Sequence, residues 1–156
     1  MGPPPPRIGA NLGTVHLSEA SQTWPVPFEA ERDRLASAVG GAFGNIVHFG
    51  STAVPNLRAK PTIDIMASID ELSLVDAIAP ALRRLGYEPA EVGFLKRRFF
   101  RNAPAPDGVA YHLHVVRTAA WPNKNELLLC HWLIANPDIA AAYEALRETL
   151  ARWATR

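Results

Sequence analysis

Asp64 lies inside the apolar run Thr62–Ala67. A carboxylate in a buried strand costs several kcal/mol unless it is paired, hydrogen-bonded or bound to a cation. A second apolar run, Ile46–Phe49, precedes it, and the polar loop between the two holds Gly50, Ser51, Thr52 and Lys60. Further along, His112 and His114 stand two apart in the segment Val109–Val116. On a strand, residues at that spacing point to one face. Two imidazoles and one carboxylate form a recognised donor set for a single metal ion. Imidazole serves Mg poorly and suits Zn or Mn better, so the cofactor expected is one divalent metal, with a metal-free site as the alternative.

Each of these residues also has a plainer reading. Asp64 can be a structural acceptor for loop amides or a partner of Lys60. His112 and His114 can face solvent from a half-exposed strand, and His48 can be a satisfied core histidine instead of part of a pocket. Gly50-Ser51-Thr52 can be an ordinary turn, since glycine and serine dominate turns. Lys60 is free to point inward at an anion or outward at water.

Several elements must position these side chains. Apolar residues at helical spacing predict a helix from Phe28 to Phe43, ended by Gly40-Gly41. Before it, Trp24-Pro25-Val26-Pro27 reads as a loop with an aromatic anchor, and Val15–Ser18 as a short edge strand. Ile46–Phe49 and Thr62–Ala67 read as strands closed by Gly, Pro and Asn punctuation. The periodic stretch Leu72–Leu85 predicts a helix stopped by Gly86 and kinked or divided at Pro80. Tyr87–Gly93 reads as irregular. Leu95–Arg101 and Val109–Val116 read as an antiparallel hairpin around the turn Pro104–Gly108. Two helices close the chain, Lys124–Ala135 and then one with Asn136 as N-cap and Pro137 at its first position. This order predicts an α/β (α+β) fold, a small mixed β-sheet with helices packed mainly on one side. Residues 1–23 read as a proline-rich, partly disordered lead-in, and 24–156 as one domain.

The chain has 156 residues and a net charge of +1, which provides no field to recruit a nucleic-acid polymer or an anionic membrane. A small anionic ligand is compatible with it. The single cysteine, Cys130, excludes an intrachain disulfide and suits a reducing compartment. Apolar neighbours at Leu127–Leu129 and Trp132 mark it as a buried thiol. No apolar run reaches the ~20 residues of a membrane span, and the N-terminus lacks a signal-peptide core, so the cytoplasm is expected. Nothing in the pattern fixes an oligomeric state.

The chain resembles the GrpB family, an uncharacterised protein family of the nucleotidyltransferase-like superfamily. The resemblance is carried by His48-x-Gly50-Ser51-Thr52-Ala53-Val54-Pro55 and Ala59-Lys60-Pro61-x-Ile63-Asp64-Ile65. It continues through Arg98-Phe99-Phe100, Tyr111-His112-Leu113-His114-Val115-Val116 and the spacing Asn136-Pro137…Tyr143…Leu146. It implies a fold in which a Gly-Ser turn cradles phosphate with its backbone N–H groups and paired acids on the next strand hold Mg²⁺. Gly50-Ser51 and Asp64 match that pattern. The acid pair does not, because Thr62 and Met66 flank Asp64 at two residues' distance.

On this resemblance the chain is expected to bind a small phosphate-bearing ligand or nucleotide. Gly50, Ser51 and Thr52 would cradle phosphate, Lys60 and Arg98 would neutralise charge, and Asp64, His112 and His114 would hold the metal. Arg98 is favoured over its basic neighbours because it lies in the matching segment; the run Lys96–Arg101 otherwise reads as a solvated edge. If the chain is catalytic, metal-dependent nucleotidyl or phosphoryl transfer is expected, with Asp64 and His48 as candidate catalytic residues. The alternative is a non-catalytic nucleotide- or metabolite-binding or regulatory module beside coenzyme A or nucleotide metabolism.

Overall fold

The computed structural model describes residues 24–94, 96–106 and 108–154. The strand expected at Val15–Ser18 and the proline-rich lead-in lie outside the described residues. Helix α1 spans Pro25–Val39 and ends at Gly40, whose φ of 60° supplies the left-handed turn that closes it. The two prolines that marked a loop at 25–27 instead open the helix, where a missing N–H is no loss. Trp24 is buried just before them.

Strand β1 is Ile46–Phe49 and β2 is Thr62–Ile69. A 3-10 turn at Leu72–Leu74 leads into α2, Val75–Arg84, which runs through Pro80 undivided. Tyr87–Pro89 forms β3, a short edge strand where irregular chain was expected. Its three residues are too few to show a period. Strand β4 is Arg97–Asn102 and β5 is Ala110–Arg117. Helices α3, Asn125–Ala135, and α4, Pro137–Ala154, follow as expected.

The sheet order is β1-β2-β5-β4-β3. Only the central pair β2–β5 is parallel; β1–β2, β5–β4 and β4–β3 are antiparallel, with β4–β5 as the expected hairpin. The mixed sheet has two unequal cores. On one face Ile63, Ile65, Leu113, Val115 and Phe100 meet Phe28, Leu35 and Val39 of α1 and Val75 and Leu82 of α2. This is the larger core; helices cover both faces, α1 and α2 on this one and α3 and α4 on the other. On the other face Phe49, Met66 and Val116 meet Leu127, Cys130 and Leu133 of α3 and Ala140 of α4. Cys130 is a free, buried thiol, and burial pushes its pKa up.

Candidate functional site

Strand register decides which side chains share the second face. Asp64 is opposite Phe49 on β1 and His112 on β5, and His112 is opposite Arg101 on β4. One step further along, Met66, His114 and Phe99 form the next row on the same face. The three side chains singled out from the sequence therefore converge. His112 Nδ1 lies 3.6 Å from Asp64 Oδ1, and His114 Nε2 lies 3.9 Å from the same oxygen. Both are electrostatic contacts just beyond hydrogen-bonding range. Burial opposes ionisation of Asp64, but the two facing imidazoles outweigh it and hold the carboxyl below its ordinary range.

The surroundings of His114 and His112 differ. His114 is 7% exposed and is ringed by Phe49, Phe94 and Phe99 at centroid distances of 5.1, 5.4 and 4.7 Å. Its Nδ1 is 3.2 Å from Nη1 of Arg97. Arg97 also bonds Glu126 Oε1 of α3 at 2.6 Å and lies over the Phe94 ring. His112 is partly exposed, and the Phe99 ring meets it in a T-shaped contact at 5.3 Å.

Beside Asp64 opens a groove of about 270 Å³, lined by Ser51, Lys60, Thr62, Asp64, His112 and Arg147. Gly50 packs against the Asp64 carboxylate. The residue has φ of 76°, and a Cβ there would stand 2.7 Å from Asp64 Oδ2. Glycine is required both by the backbone and by the closeness of the carboxylate. Arg147 reaches the groove from α4 and bonds the carbonyl of Arg58 at 3.3 Å. It was not among the residues singled out from the sequence. The spacing Tyr143 to Arg147, one helical turn on the packing face, is the signal that points to it.

Three expected participants are placed elsewhere. Thr52 is buried, and its hydroxyl is used internally, donating to the carbonyl of Thr62 at 3.3 Å and contacting His48 Nε2 at 2.7 Å. His48 is opposite Ile65 and therefore lies on the other face, where its ring stacks on Phe28 of α1. Burial lowers its pKa to about 4 despite the attraction of Asp64. It is a core histidine held neutral, outside the groove. Arg98 is opposite Val115, again on the far face, and pairs with Asp76 of α2 at 3.0 Å. The β4 arginines on the Asp64 face are Arg97 and Arg101.

The donor set does not fit the paired Mg²⁺ that the resemblance implies. Among the described residues, no group of three or more His, Cys, Asp or Glu side chains is arranged to hold a metal ion. Arg97 supplies a physical reason. A guanidinium can only donate, so His114 Nδ1 accepts and the ring proton sits on Nε2, facing Asp64. The nitrogen nearest the carboxylate then has no lone pair to give a metal. The expected assignment of His114 as a metal ligand is at odds with this arrangement.

The GrpB protein family model matches residues 14–156. The glutamate-rich protein GrpB of Alkalihalophilus pseudofirmus is 30% identical over 149 residues, covering 92% of this chain and 85% of that protein. YqkA of Bacillus subtilis is 30% identical over 138 residues, 88% of this chain but 40% of that protein. A dephospho-CoA kinase of Mycobacterium leprae is 29% identical over 151 residues, 78% of this chain and 36% of that protein. The crystal structure of GrpB from Enterococcus faecalis is similar with a TM-score of 0.77 and 32% identity, over 88% of this chain and 83% of that one. A chain of the GLD-2/RNP-8 complex matches with a TM-score of 0.62 and 16% identity, over 88% and 57% of the two chains. That last likeness is one of fold alone, and the fold is nucleotidyltransferase-like.

Proposed function

The chain belongs to the GrpB family and has the nucleotidyltransferase-like fold; from that premise we propose that it binds a small phosphate-bearing ligand, a nucleotide, without a divalent metal. The observation that supports this is the composition of the groove. Two cationic side chains, Lys60 and Arg147, line it together with the Ser51 hydroxyl, next to the glycine turn. Charge-assisted hydrogen bonds from such groups favour phosphate oxygens. The groove also differs from a two-metal site in kind. It has one carboxylate, and that carboxylate faces two imidazoles instead of a second acid. Metal-dependent transfer, the catalytic expectation, loses support for that reason.

The test is thermal denaturation of the purified chain in EDTA with ATP, with inorganic triphosphate and with neither. A stabilisation by ATP in EDTA supports the reading, since a ligand that binds only the native state raises its apparent stability. Stabilisation that appears only when Mg²⁺ is added overturns it.

A second reading is supported by the match to part of a dephospho-CoA kinase. In it the groove serves a regulatory or accessory module that senses a coenzyme A-type phosphate ligand. Replacing ATP by coenzyme A in the same measurement separates the two.

A further inference from the structure

We propose that Arg97 is a positioning residue that fixes the order of protons along His114, Asp64 and His112, and so leaves His112 Nε2 as a bare acceptor in the groove. The inference rests on the proposed groove and deepens it by naming the kind of ligand group the groove selects.

The order starts at Arg97, which is 10% exposed in its side chain and held by Glu126 at 2.6 Å. Its Nη1 donates toward His114 Nδ1 at 3.2 Å. His114 then carries its proton on Nε2, directed at Asp64 Oδ1. The ionised carboxylate offers no proton of its own, so the nitrogen of His112 that faces it, Nδ1, must be the protonated one. One ring nitrogen remains, His112 Nε2. It has no hydrogen-bond partner among the described residues, and His112 lines the groove with Ser51, Lys60 and Arg147.

The consequence is a ligand requirement. Lys60 and Arg147 attract phosphate, while His112 Nε2 accepts a hydrogen bond from an O–H or N–H group near that phosphate. A sugar hydroxyl of a nucleotide has this chemistry; bare inorganic phosphate at neutral pH satisfies it poorly. The same order removes the lone pair a metal would need at His114, so the cationic role beside Asp64 belongs to Arg97.

Histidine side-chain ¹⁵N–¹H correlation spectra of the full chain test this. The expected result is a proton on Nε2 of His114 and on Nδ1 of His112, with the His114 pattern unchanged by one equivalent of Zn²⁺. Adding ATP is expected to perturb the His112 resonances and leave the His114 tautomer in place. In Arg97→Met, Nδ1 of His114 is free to take the proton, and Zn²⁺ is expected to perturb both rings. A proton on Nε2 of His112, or Zn²⁺ perturbing both rings in the unaltered chain, overturns the proposal. So does ATP that binds without touching His112. The tautomers are read without any ligand, so an absence of ATP binding with the expected tautomers counts against the nucleotide reading alone.

Discussion

Arg97 Nη1 stands 3.2 Å from His114 Nδ1, a contact between neighbouring strands on the face that carries Asp64. It places a permanent cation one imidazole away from the Asp64 carboxylate. Glu126 and Asp64 lie on either side of it, the first through a 2.6 Å ion pair and the second through the His114 ring. A buried guanidinium is tolerated only with such partners. The contact also joins α3 to the sheet, because Glu126 is in its first turn.

Two adjacent arginines should therefore behave differently. Arg97→Ala removes the partner of Glu126 and of His114 Nδ1. It is expected to lower unfolding free energy by about 1–3 kcal/mol, allowing for the partial exposure of Glu126. Arg98→Ala removes a surface pair with Asp76, whose side chain is 74% exposed, and should change stability by less than about 1 kcal/mol. Urea denaturation of both variants checks the contrast. Arg98→Ala should also leave ATP affinity unchanged.

Gly50→Ala combines two penalties. Alanine at φ of 76° is strained, and its Cβ would meet Asp64 Oδ2 at 2.7 Å. Gly40→Ala has a similar φ of 60° but meets nothing within 4 Å. Gly50→Ala should therefore cost about 1–2 kcal/mol more than Gly40→Ala. Equal losses in paired melts would show that the carboxylate does not crowd this turn.

The acid limb of stability should report His48. An unfolded chain protonates this ring near pH 6.5, while the folded chain holds it neutral down to about 4. Between those values the unfolded state binds more protons, so stability falls as pH is lowered through that window. Above pH 6.5 the contribution is fully present. The expected loss is about 1–2 kcal/mol, reduced from the full linkage value because the ring is only half-buried. His48→Gln keeps an N–H for Thr52 and should flatten the limb. Melting temperatures from pH 7 to 4 for the two chains give the comparison.

The sequence patterns carried most of the fold and part of the site. The alternation in Val109–Val116 placed His112 and His114 on one face, and the register confirms that Asp64 shares it. The choice between Arg97 and Arg98 was harder, because either parity is possible for a hairpin strand until the pairing is fixed. With Arg97 opposite Val116 and Phe99 opposite His114, the odd-numbered residues face the site. Pairing across a long turn is not written in local periodicity. Arg147 was hidden for a related reason, since helix periodicity shows which side packs but not which strand end it reaches. His48 was ambiguous until the pairing with Ile65 put it over α1. Tyr87 is wholly buried and bonds Glu31 at 2.7 Å, yet a three-residue strand gives too short a pattern to read.

The central claim is that the groove beside Asp64 takes a phosphate-bearing ligand through Lys60 and Arg147, without metal. Calorimetric titration of ATP into the chain in EDTA, alongside Lys60→Ala and Arg147→Ala, measures this directly. Loss of one charge-assisted contact, about 1.5–3 kcal/mol, should weaken binding at least roughly tenfold in either variant. Binding that persists undiminished in both variants, or heat that appears only with added Mg²⁺, would contradict it.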